Sequence, residues 1–387
     1  MAHRSSLTLE DYAGKRILLR LDLNVPLRKG RIADASKIIR SLPTIKRLRR
    51  LSPLIIVTHL GEPTPRRAYE YERAFSLAPI VRDLGRRLGI HIKLVSGSWS
   101  ELRAQVATLK KGDVIVLENI RFWKAEKNND TDFAKSLASL AELYVNDAFA
   151  VSHRKHASVT AIKKFLPAFA GPQLAAEVKE LGNVVSGKGS LTLILGGAKI
   201  SSKLPLISKL LPRAESILVG GAIANTILKG RGIAIGKSLY DDLDVKTLRR
   251  LSSPKLILPV DAVVARGRRR SIKTIVDISP LDSIIDIGPA TALRFARHVA
   301  KAQKIFWNGP LGRFEDPAAR NGTKALLKVL ATVTKKGTLT VVGGGESAEA
   351  ALAAGYGSKL SWISTGGGAS LSFLAGETMP GLQGLRY

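Results

Sequence analysis

A run of three glycines and one carboxylate, in the stretch VVGGGESAEA that begins at Val341, has the composition of an anion-binding loop. Glycines between a strand and a helix allow backbone N–H groups to crowd onto an anion, and the helix N-terminus adds its dipole. Glu346 stands in the same loop, although a carboxylate repels a phosphate. The sequence therefore raises the question of what a phosphate-binding loop needs a carboxylate for.

A second group of polar residues follows the strand-like segments in the first half of the chain. In parallel α/β folds, ligands bind at the carboxyl ends of the strands, so these positions are candidates for a binding site. The group consists of Arg20, Asp22, Asn24, His59, Glu118, Asn119, Arg121, Asn146, Asp147, His153, Arg154 and His156. Because it combines cations with amides and carboxylates, it suits a small anionic substrate.

Two patterns within this group favour ligand binding. Arg20, Asp22 and Asn24 occupy alternate positions and would face one side of a strand, as a polar floor beneath a ligand; an amphipathic edge strand is the alternative. His153 and His156 have a spacing that suits a metal on a helix, but no further ligands are evident. The cations beside them favour anion binding instead.

The second half of the chain has glycine-rich strand ends in place of polar ones. They are the segments GGAKISSK, GGAIANT, WNGPLGRFE, VVGGGES and STGGGAS. Helix N-termini bind phosphates through backbone N–H groups, so this set suits a nucleotide triphosphate. Lys199 and Lys203 are four residues apart and would share one face of a helix, where they would neutralise phosphates; a solvated lysine face is the alternative.

Strand-like and helix-like segments alternate through the whole chain, which predicts parallel sheets with helices on both faces. RILLRLDLNV, PLIIVTHLG, DVIVLENI and ELYVNDAF are typical of strands in the first half, and LTLILGG, SILVGG, LILPVD, KIFWNGP and TLTVVGGG in the second. Two such arrays predict two α/β domains. The stretch GPQLAAEVKELGNVVSGKGS predicts a single helix that joins them.

The composition is that of a globular protein with an excess of cations. The 387 residues include 61 Lys and Arg against 31 Asp and Glu, a formal charge of +30, and no cysteine. Thiol nucleophiles, disulfides and cysteine metal sites are therefore excluded. The basic residues are spread along the chain, which favours compositional bias or the steering of polyanionic substrates over dedicated nucleic-acid binding. No segment has the length of an apolar signal or membrane span, and we expect a cytoplasmic location.

Several motifs together make the chain resemble the phosphoglycerate kinase family over essentially its whole length. The matching strings are RLDLNVP, LENIRF, SHRKHAS, GGAKI, DIGPAT, WNGPLGRFE and VVGGGES, and they follow the family's order. The resemblance implies an α/β fold of two Rossmann-like domains with parallel sheets flanked by helices. Residues 1–170 would bind phosphoglycerate, 171–188 would form the interdomain helix and 189–371 would bind the nucleotide. The tail, about 372–387, would pack back on the first domain.

The activity implied by this resemblance is reversible phosphoryl transfer from 1,3-bisphosphoglycerate to ADP, which gives 3-phosphoglycerate and ATP in glycolysis and gluconeogenesis. It would use Mg²⁺ with ATP or ADP, and a hinge closure would bring the substrates together. We expect no membrane or nucleic-acid partner, and a monomer or a weak homodimer. The alternatives are a catalytically weakened member that binds nucleotides and nucleic acid, and a kinase of this fold that acts on another acyl phosphate.

The resemblance also assigns site residues. The substrate-binding positions would be Arg20, Asp22, Leu23, Asn24, His59, Leu60, Gly61, Glu62, Arg121, His153, Arg154 and His156. The nucleotide-binding positions would be Gly197, Ala198, Lys203, Asn308, Glu315, Gly343, Gly344, Gly345 and Ser347. The catalytic positions would be Lys37 and Lys199, with Arg40 as the alternative to Lys37. Glu346 would bind the magnesium that accompanies the phosphates.

Three of these positions depart from the family's pattern. Lys37 stands where the family has an arginine, and lysine lacks the planar guanidinium fork. Glu62 also replaces an arginine; a carboxylate beside an anionic substrate is unfavourable unless it turns away, and Arg66 and Arg67 could compensate for it. Glu346 takes the place of an aspartate and is one methylene longer.

Overall fold

A computed structural model describes residues 13–244, 247 and 251–387. Residues 1–12, at the start of the predicted first domain, lie outside this description. The described chain divides into two compact units, which we describe separately. The first comprises the residues up to Val178 together with Thr378–Tyr387, and the second comprises Lys179–Glu377.

The first unit is built on a six-stranded sheet in which every neighbouring pair of strands is parallel. Its strands are β1 Ile17–Leu21, β2 Leu27–Arg28, β3 Arg31–Ile32, β4 Leu54–Val57, β5 Lys93–Val95, β6 Val114–Leu117, β7 Leu143–Asp147 and β8 Ala168–Ala170. Its helices are α1 Ser36–Arg49, α2 Ala78–Leu88, α3 Trp99–Ala107, α4 Lys124–Lys127 and α5 Thr131–Ala138. The sheet order is β5-β6-β4-β1-β7-β8, and β2 pairs with β3 in a separate hairpin.

Helices cover both faces of this sheet because successive residues of its strands point to opposite sides. Leu19 of β1 lies in one buried cluster with Ile38 of α1 and Ile80 of α2. Leu18 lies in a second cluster with Leu102 of α3. Since each buried aliphatic side chain contributes about 1.5–3 kcal/mol, the two clusters fix the sheet between its helical layers.

The second unit repeats this architecture with a second six-stranded parallel sheet, of order β11-β10-β9-β15-β16-β17. Its strands are β9 Leu191–Leu195, β10 Ala214–Val219, β11 Leu256–Ile257, β12 Asp261–Arg266, β13 Arg269–Thr274, β14 Ser283–Ile287, β15 Lys304–Asn308, β16 Leu339–Gly343 and β17 Trp362–Ser364. The helices that follow α5 are α6 Pro172–Val185, α7 Leu204–Leu210, α8 Gly221–Gly230, α9 Pro289–Lys301, α10 Asn321–Lys335, α11 Gly345–Ala353 and α12 Gly368–Leu374. Of these, α6 runs across the boundary between the units.

The strand order places a crevice at the carboxyl edge of each sheet. In the first unit the chain lays β4, β5 and β6 on one side of β1, and β7 and β8 on the other. In the second unit β10 and β11 lie on one side of β9, and β15, β16 and β17 on the other. Ligands of such folds bind where the order reverses, which is beside β1 and β7 in one sheet and beside β9 and β15 in the other.

The predicted α/β fold with parallel sheets is confirmed, and two details of the prediction are wrong. The first strand was expected to extend past Asn24, whereas β1 ends at Leu21, so only Arg20 of the alternating polar trio lies in a strand. The segment after β11 also forms an antiparallel sheet of order β13-β12-β14, which the sequence analysis did not anticipate. Among the described residues, no helix is long and apolar enough to cross a bilayer.

The carboxyl-terminal segment is bound to the first unit by backbone and side-chain hydrogen bonds. Arg386 N donates to Ala168 O at 2.9 Å, and Ala170 N donates to Arg386 O at 2.7 Å, which extends the edge of the sheet at β8. Lys163 Nζ donates to Pro380 O at 2.5 Å and to Gln383 O at 2.6 Å. One half-buried ammonium group therefore binds two backbone carbonyls of the tail.

We expect Lys163→Ala to lower the free energy of unfolding of the first unit by about 1–3 kcal/mol, because two carbonyls lose a charged donor. Urea titration followed by the fluorescence of Trp99 and Trp123 would measure this change. Lys164→Ala is the matched control, since Lys164 is exposed in the same segment. Equal stability of the two variants would show that the lysine does not hold the tail.

Candidate active site

Hydrogen bonds tie together the loops that follow β1, β4 and β6 in the first unit. Asn24 Oδ1 accepts from Gly61 N at 2.9 Å, and Asn119 Nδ2 donates to Leu60 O at 2.8 Å. Arg121 Nη1 donates to Gly61 O at 2.6 Å. The predicted substrate residues on these loops therefore share one network at the carboxyl edge of the sheet.

Arg20 lies beneath this edge, fully buried, and its guanidinium is used within the protein. Nη1 donates to Leu21 O at 2.9 Å and to Val57 O at 3.2 Å, and Nη2 lies 3.2 Å from His59 Nδ1. Because a guanidinium can only donate, His59 Nδ1 must accept, which leaves the proton on Nε2. Burial, together with the charges of Arg20 and Arg121, lowers the pKa of His59 well below its usual value, so the ring is neutral.

Lys37, the predicted catalytic cation, lies in the first turn of α1 and is held by a carboxylate. Its Nζ donates to Asp22 Oδ2 at 2.7 Å. Arg40 follows three residues later on the same helix, so its side chain starts from the same face. Leu23 contributes its backbone, because its amide donates to Thr58 Oγ1 at 3.0 Å.

Glu62 is placed among three cations. Its Oε1 accepts from Arg121 Nη1 at 2.5 Å and from Arg154 Nη1 at 3.1 Å, and its Oε2 lies 2.9 Å from Lys127 Nζ. Burial would raise the pKa of Glu62, but the hydrogen bonds from Lys127 and Arg154 and the charge of Arg121 lower it to about 2. This carboxylate is therefore ionised throughout the physiological pH range.

The expectation that Glu62 either turns away from the site or is balanced by Arg66 and Arg67 is wrong. The carboxylate points into the predicted substrate-binding cations, and its partners come from other parts of the chain. The residues next to Glu62 in the sequence did not predict its partners, because its side chain contacts Arg121, Lys127 and Arg154 rather than residues of its own loop.

The predicted histidine pair lies in a turn and not on a helix, so the metal-binding geometry considered for it does not form. His156 Nδ1 lies 3.9 Å from Glu126 Oε1, too far for a hydrogen bond. Burial and the charges of Arg121 and Arg20 lower the pKa of His156 to about 3. His153 is half-buried in the same turn.

In the second unit, the glycine run between β16 and α11 forms a tight turn braced by buried side chains. Gly344 has φ of +101° and a Cβ there would lie 2.8 Å from Asn308 Nδ2, so both backbone and space require glycine. Asn308 Nδ2 donates to Gly343 O at 2.8 Å, and Ser347 Oγ accepts from Gly309 N at 2.5 Å. Asn308 and Ser347 thus hold the loop in place, and the unpaired N–H groups of the first turn of α11, which begins at Gly345, are available to an anion.

A pocket in the second unit brings together four of the predicted nucleotide or metal residues. Gly197, Ala198, Glu315 and Glu346 line it. Its other lining residues include Gly221, Ala222, Asn225, Asp286, Leu311 and Arg313. The glycine that follows β9, the start of α8 and the start of α11 therefore face one cavity, as expected for a ligand bound over several helix N-termini.

The expectation that Lys199 and Lys203 share one face of a helix is wrong. Lys199 is exposed in the loop before the 3₁₀ turn Ser201–Lys203, and α7 begins only at Leu204. Lys203 is half-buried; burial lowers its pKa, and the charge of Glu346 partly opposes this shift. The two lysines consequently differ in exposure.

Sequence reasoning missed four residues that shape these sites. Lys127 pairs with Glu62, and buried Glu126 accepts from Ser158 N and Oγ at 2.8 and 2.6 Å. Asp241 Oδ2 accepts from Ile200 N at 2.8 Å and so fixes the loop after β9. Asp286 lines the pocket of the second unit, where burial raises its pKa to about 7. The DIGPAT string contained Asp286, but the other three residues lie outside the strand ends that were searched.

Comparisons with known proteins, of sequence and of structure, point to one family. A model of the phosphoglycerate kinase family matches residues 7–377. The phosphoglycerate kinase of Wolbachia pipientis from Culex pipiens is 41% identical to this chain, over 96% of both chains. That of Dictyoglomus turgidum is 40% identical, over 99% of this chain and 98% of the relative. The solved phosphoglycerate kinase of Coxiella burnetii superposes with a TM-score of 0.84 at 35% identity, over 96% of both chains. The chain belongs to the phosphoglycerate kinase family.

The family's activity is reversible phosphoryl transfer between 1,3-bisphosphoglycerate and ADP, and the enzyme uses phosphoglycerate and ATP or ADP as substrates. In the reverse direction the phosphoryl group passes from ATP to the carboxyl group of 3-phosphoglycerate. The alternative of a weakened, nucleic-acid-binding member is not favoured by these comparisons.

We expect Gly344→Ala to raise the KM for ATP on the order of tenfold, because a methyl group strains the backbone and displaces Asn308. Steady-state kinetics at saturating 3-phosphoglycerate would measure it. Gly355→Ala is the control, since Gly355 also has a positive φ, of +75°, but has open space around its Cβ position. A similar KM in both variants would show that backbone strain alone matters and would remove the loop from the nucleotide site.

Proposed function

We propose that the first unit binds the glycerate substrate and the second unit binds the nucleotide. The observation that carries this division is the difference in anion-binding groups. The first unit offers convergent side-chain cations, Arg121, Arg154 and Lys127, which suit a compact phosphorylated acid. The second unit offers glycine loops at helix N-termini around one pocket, which suit a chain of phosphates.

The nucleotide is proposed to carry Mg²⁺, with Glu346 as its protein ligand. Magnesium retains several waters and needs one or two carboxylates in addition to phosphate oxygens, so Glu346, an exposed glutamate on the pocket wall, fits it. When bound, the ion would neutralise charge on the phosphates. Gly343, Gly344 and Gly345 would contribute backbone N–H groups to the same phosphates.

Lys37 and Lys199 are proposed to stabilise the phosphoryl group during transfer. In such reactions negative charge spreads over the three equatorial oxygens, and catalysis depends on alignment and on cations placed around them. Lys37 forms an ion pair with Asp22, and Lys199 is exposed beside the proposed nucleotide pocket. The two lysines belong to different units. That a hinge closure brings the substrates together stays a prediction.

A cytoplasmic location and a monomeric or weakly dimeric state also stay predictions. The family's part in glycolysis supports the first of them.

The proposed function is tested by ATP formation from 1,3-bisphosphoglycerate and ADP in a coupled assay. We expect turnover that is abolished by chelation of Mg²⁺ and restored by its addition. Turnover that does not depend on Mg²⁺ would overturn the role of Glu346, and the absence of turnover would overturn the function.

Lys37→Ala should lower kcat by about 10³-fold, the order found for a cation that contacts the transferring phosphoryl group, with little change in the KM for ATP. Lys37→Arg should retain most activity because it keeps the charge. Lys46→Ala is the control, since Lys46 is exposed on the same helix. Normal kcat in Lys37→Ala would transfer the role to Arg40, which the same substitution at that residue would then test.

A further inference from the structure

Glu62 occupies the position that an anionic group of a ligand would be expected to take. Its carboxylate bonds to Arg121 and Arg154 and pairs with Lys127, at 2.5, 3.1 and 2.9 Å. The three cations come from the 3₁₀ turn Ile120–Phe122, from α4 and from the turn after β7, so only the fold brings them together. A carboxylate bound by two guanidinium groups and an ammonium is the same chemical arrangement that binds a carboxylate or phosphate ligand.

The two partners of the closest contact differ in their exposure. The Arg121 side chain is 1% exposed and that of Glu62 is 57% exposed, so the carboxylate covers the guanidinium from the solvent side. Arg121 Nε and Nη2 are buried and have no hydrogen-bond partner among the described residues. The guanidinium therefore has donors left over for a further acceptor.

This asymmetry decides which group can be displaced. An exposed carboxylate that leaves its partners returns to water, which solvates its charge. The buried guanidinium of Arg121 would keep Gly61 O as an acceptor but would lose its counter-charge, and an uncompensated buried charge is strongly destabilising. Glu62 can move away only if another anion replaces it at Arg121.

We propose that Glu62 is an internal counter-anion that holds the place of a substrate carboxylate or phosphate and is displaced when the glycerate substrate binds. This inference rests on the proposed function of the first unit and changes the role expected for Glu62, from a substrate ligand to a competitor of the substrate. Glu62 thereby lowers the affinity of the site for anions. It discriminates against weak ligands such as inorganic sulfate, which must displace it without the additional contacts of the substrate.

The experiment compares the Kd of 3-phosphoglycerate for the full-length wild type, Glu62→Gln and Glu62→Ala by isothermal titration calorimetry without nucleotide. Both variants should bind on the order of tenfold more tightly, because no internal charge has to be displaced. Sulfate, as the probe of weak anions, should compete with 3-phosphoglycerate more effectively in both variants than in the wild type. Circular dichroism would confirm that each variant is folded.

Glu72→Gln is the matched control, because Glu72 is an exposed glutamate of the same unit and its replacement changes the net charge equally. Its Kd should equal that of the wild type. Unchanged or weaker binding in folded Glu62→Gln or Glu62→Ala would overturn the proposal and make Glu62 a brace that positions the cations. Equal tightening in Glu72→Gln would overturn it too, since the effect would then come from net charge.

Arg154→Ala separates this inference from the proposed function. If it weakens 3-phosphoglycerate binding by tenfold or more, the cations form the substrate site. Failure of the Glu62 variants to tighten binding would then overturn the counter-anion role alone. If Arg154→Ala binds as the wild type does, the site itself is misassigned, and both proposals fail.

Discussion

Burial of guanidinium charge is the constraint on which the binding loops of the first unit depend. Arg20 and Arg121 are almost completely removed from solvent, and a buried charge is tolerated only where acceptors are supplied. Arg20 uses two strand-end carbonyls and the ring of His59, and Arg121 uses Gly61 O and Glu62. The loops after β1, β4 and β6 must adopt one arrangement to provide these acceptors, and the same arrangement fixes the direction in which the remaining donors point.

The two units offer an anion different kinds of donor. In the second unit the donors are backbone N–H groups, whose positions are set by strands and helix starts and by braces such as Asn308 and Ser347. In the first unit they are the ends of long side chains. Backbone donors change only if the chain path changes, whereas a site of side chains changes its charge with one substitution. Glu62, which stands where the family has an arginine, is such a substitution, and the hydrogen-bond network around it is kept.

The sequence predicts well those features that depend on periodicity and on strand ends. The apolar runs identified the central strands of both sheets, and the rule that parallel strands end at a common edge identified Arg121, Arg154 and the glycine loops. Prediction from the sequence failed where tertiary contacts decide the local structure or the partner of a side chain. Lys199 and Lys203 have helical spacing, but the turn after β9 has its own hydrogen bonds, and α7 begins after both. Lys127 lies on a short helix, and no sequence pattern connects it with a glutamate 65 residues earlier.

The excess of cations gives a reason for a carboxylate in the proposed substrate site. A chain with a formal charge of +30 attracts anionic substrates over long distances without help from any single residue. Tighter ground-state binding does not accelerate the chemical step, and a reversible enzyme must also release an anionic product in each direction. In the proposed role of Glu62, a carboxylate that cancels part of the local charge would weaken the binding of substrate and product, while Arg121 and Arg154 would keep the geometry that recognises them. The charge of the whole surface would then attract anions in general, and the residues of the site would distinguish the substrate from other anions.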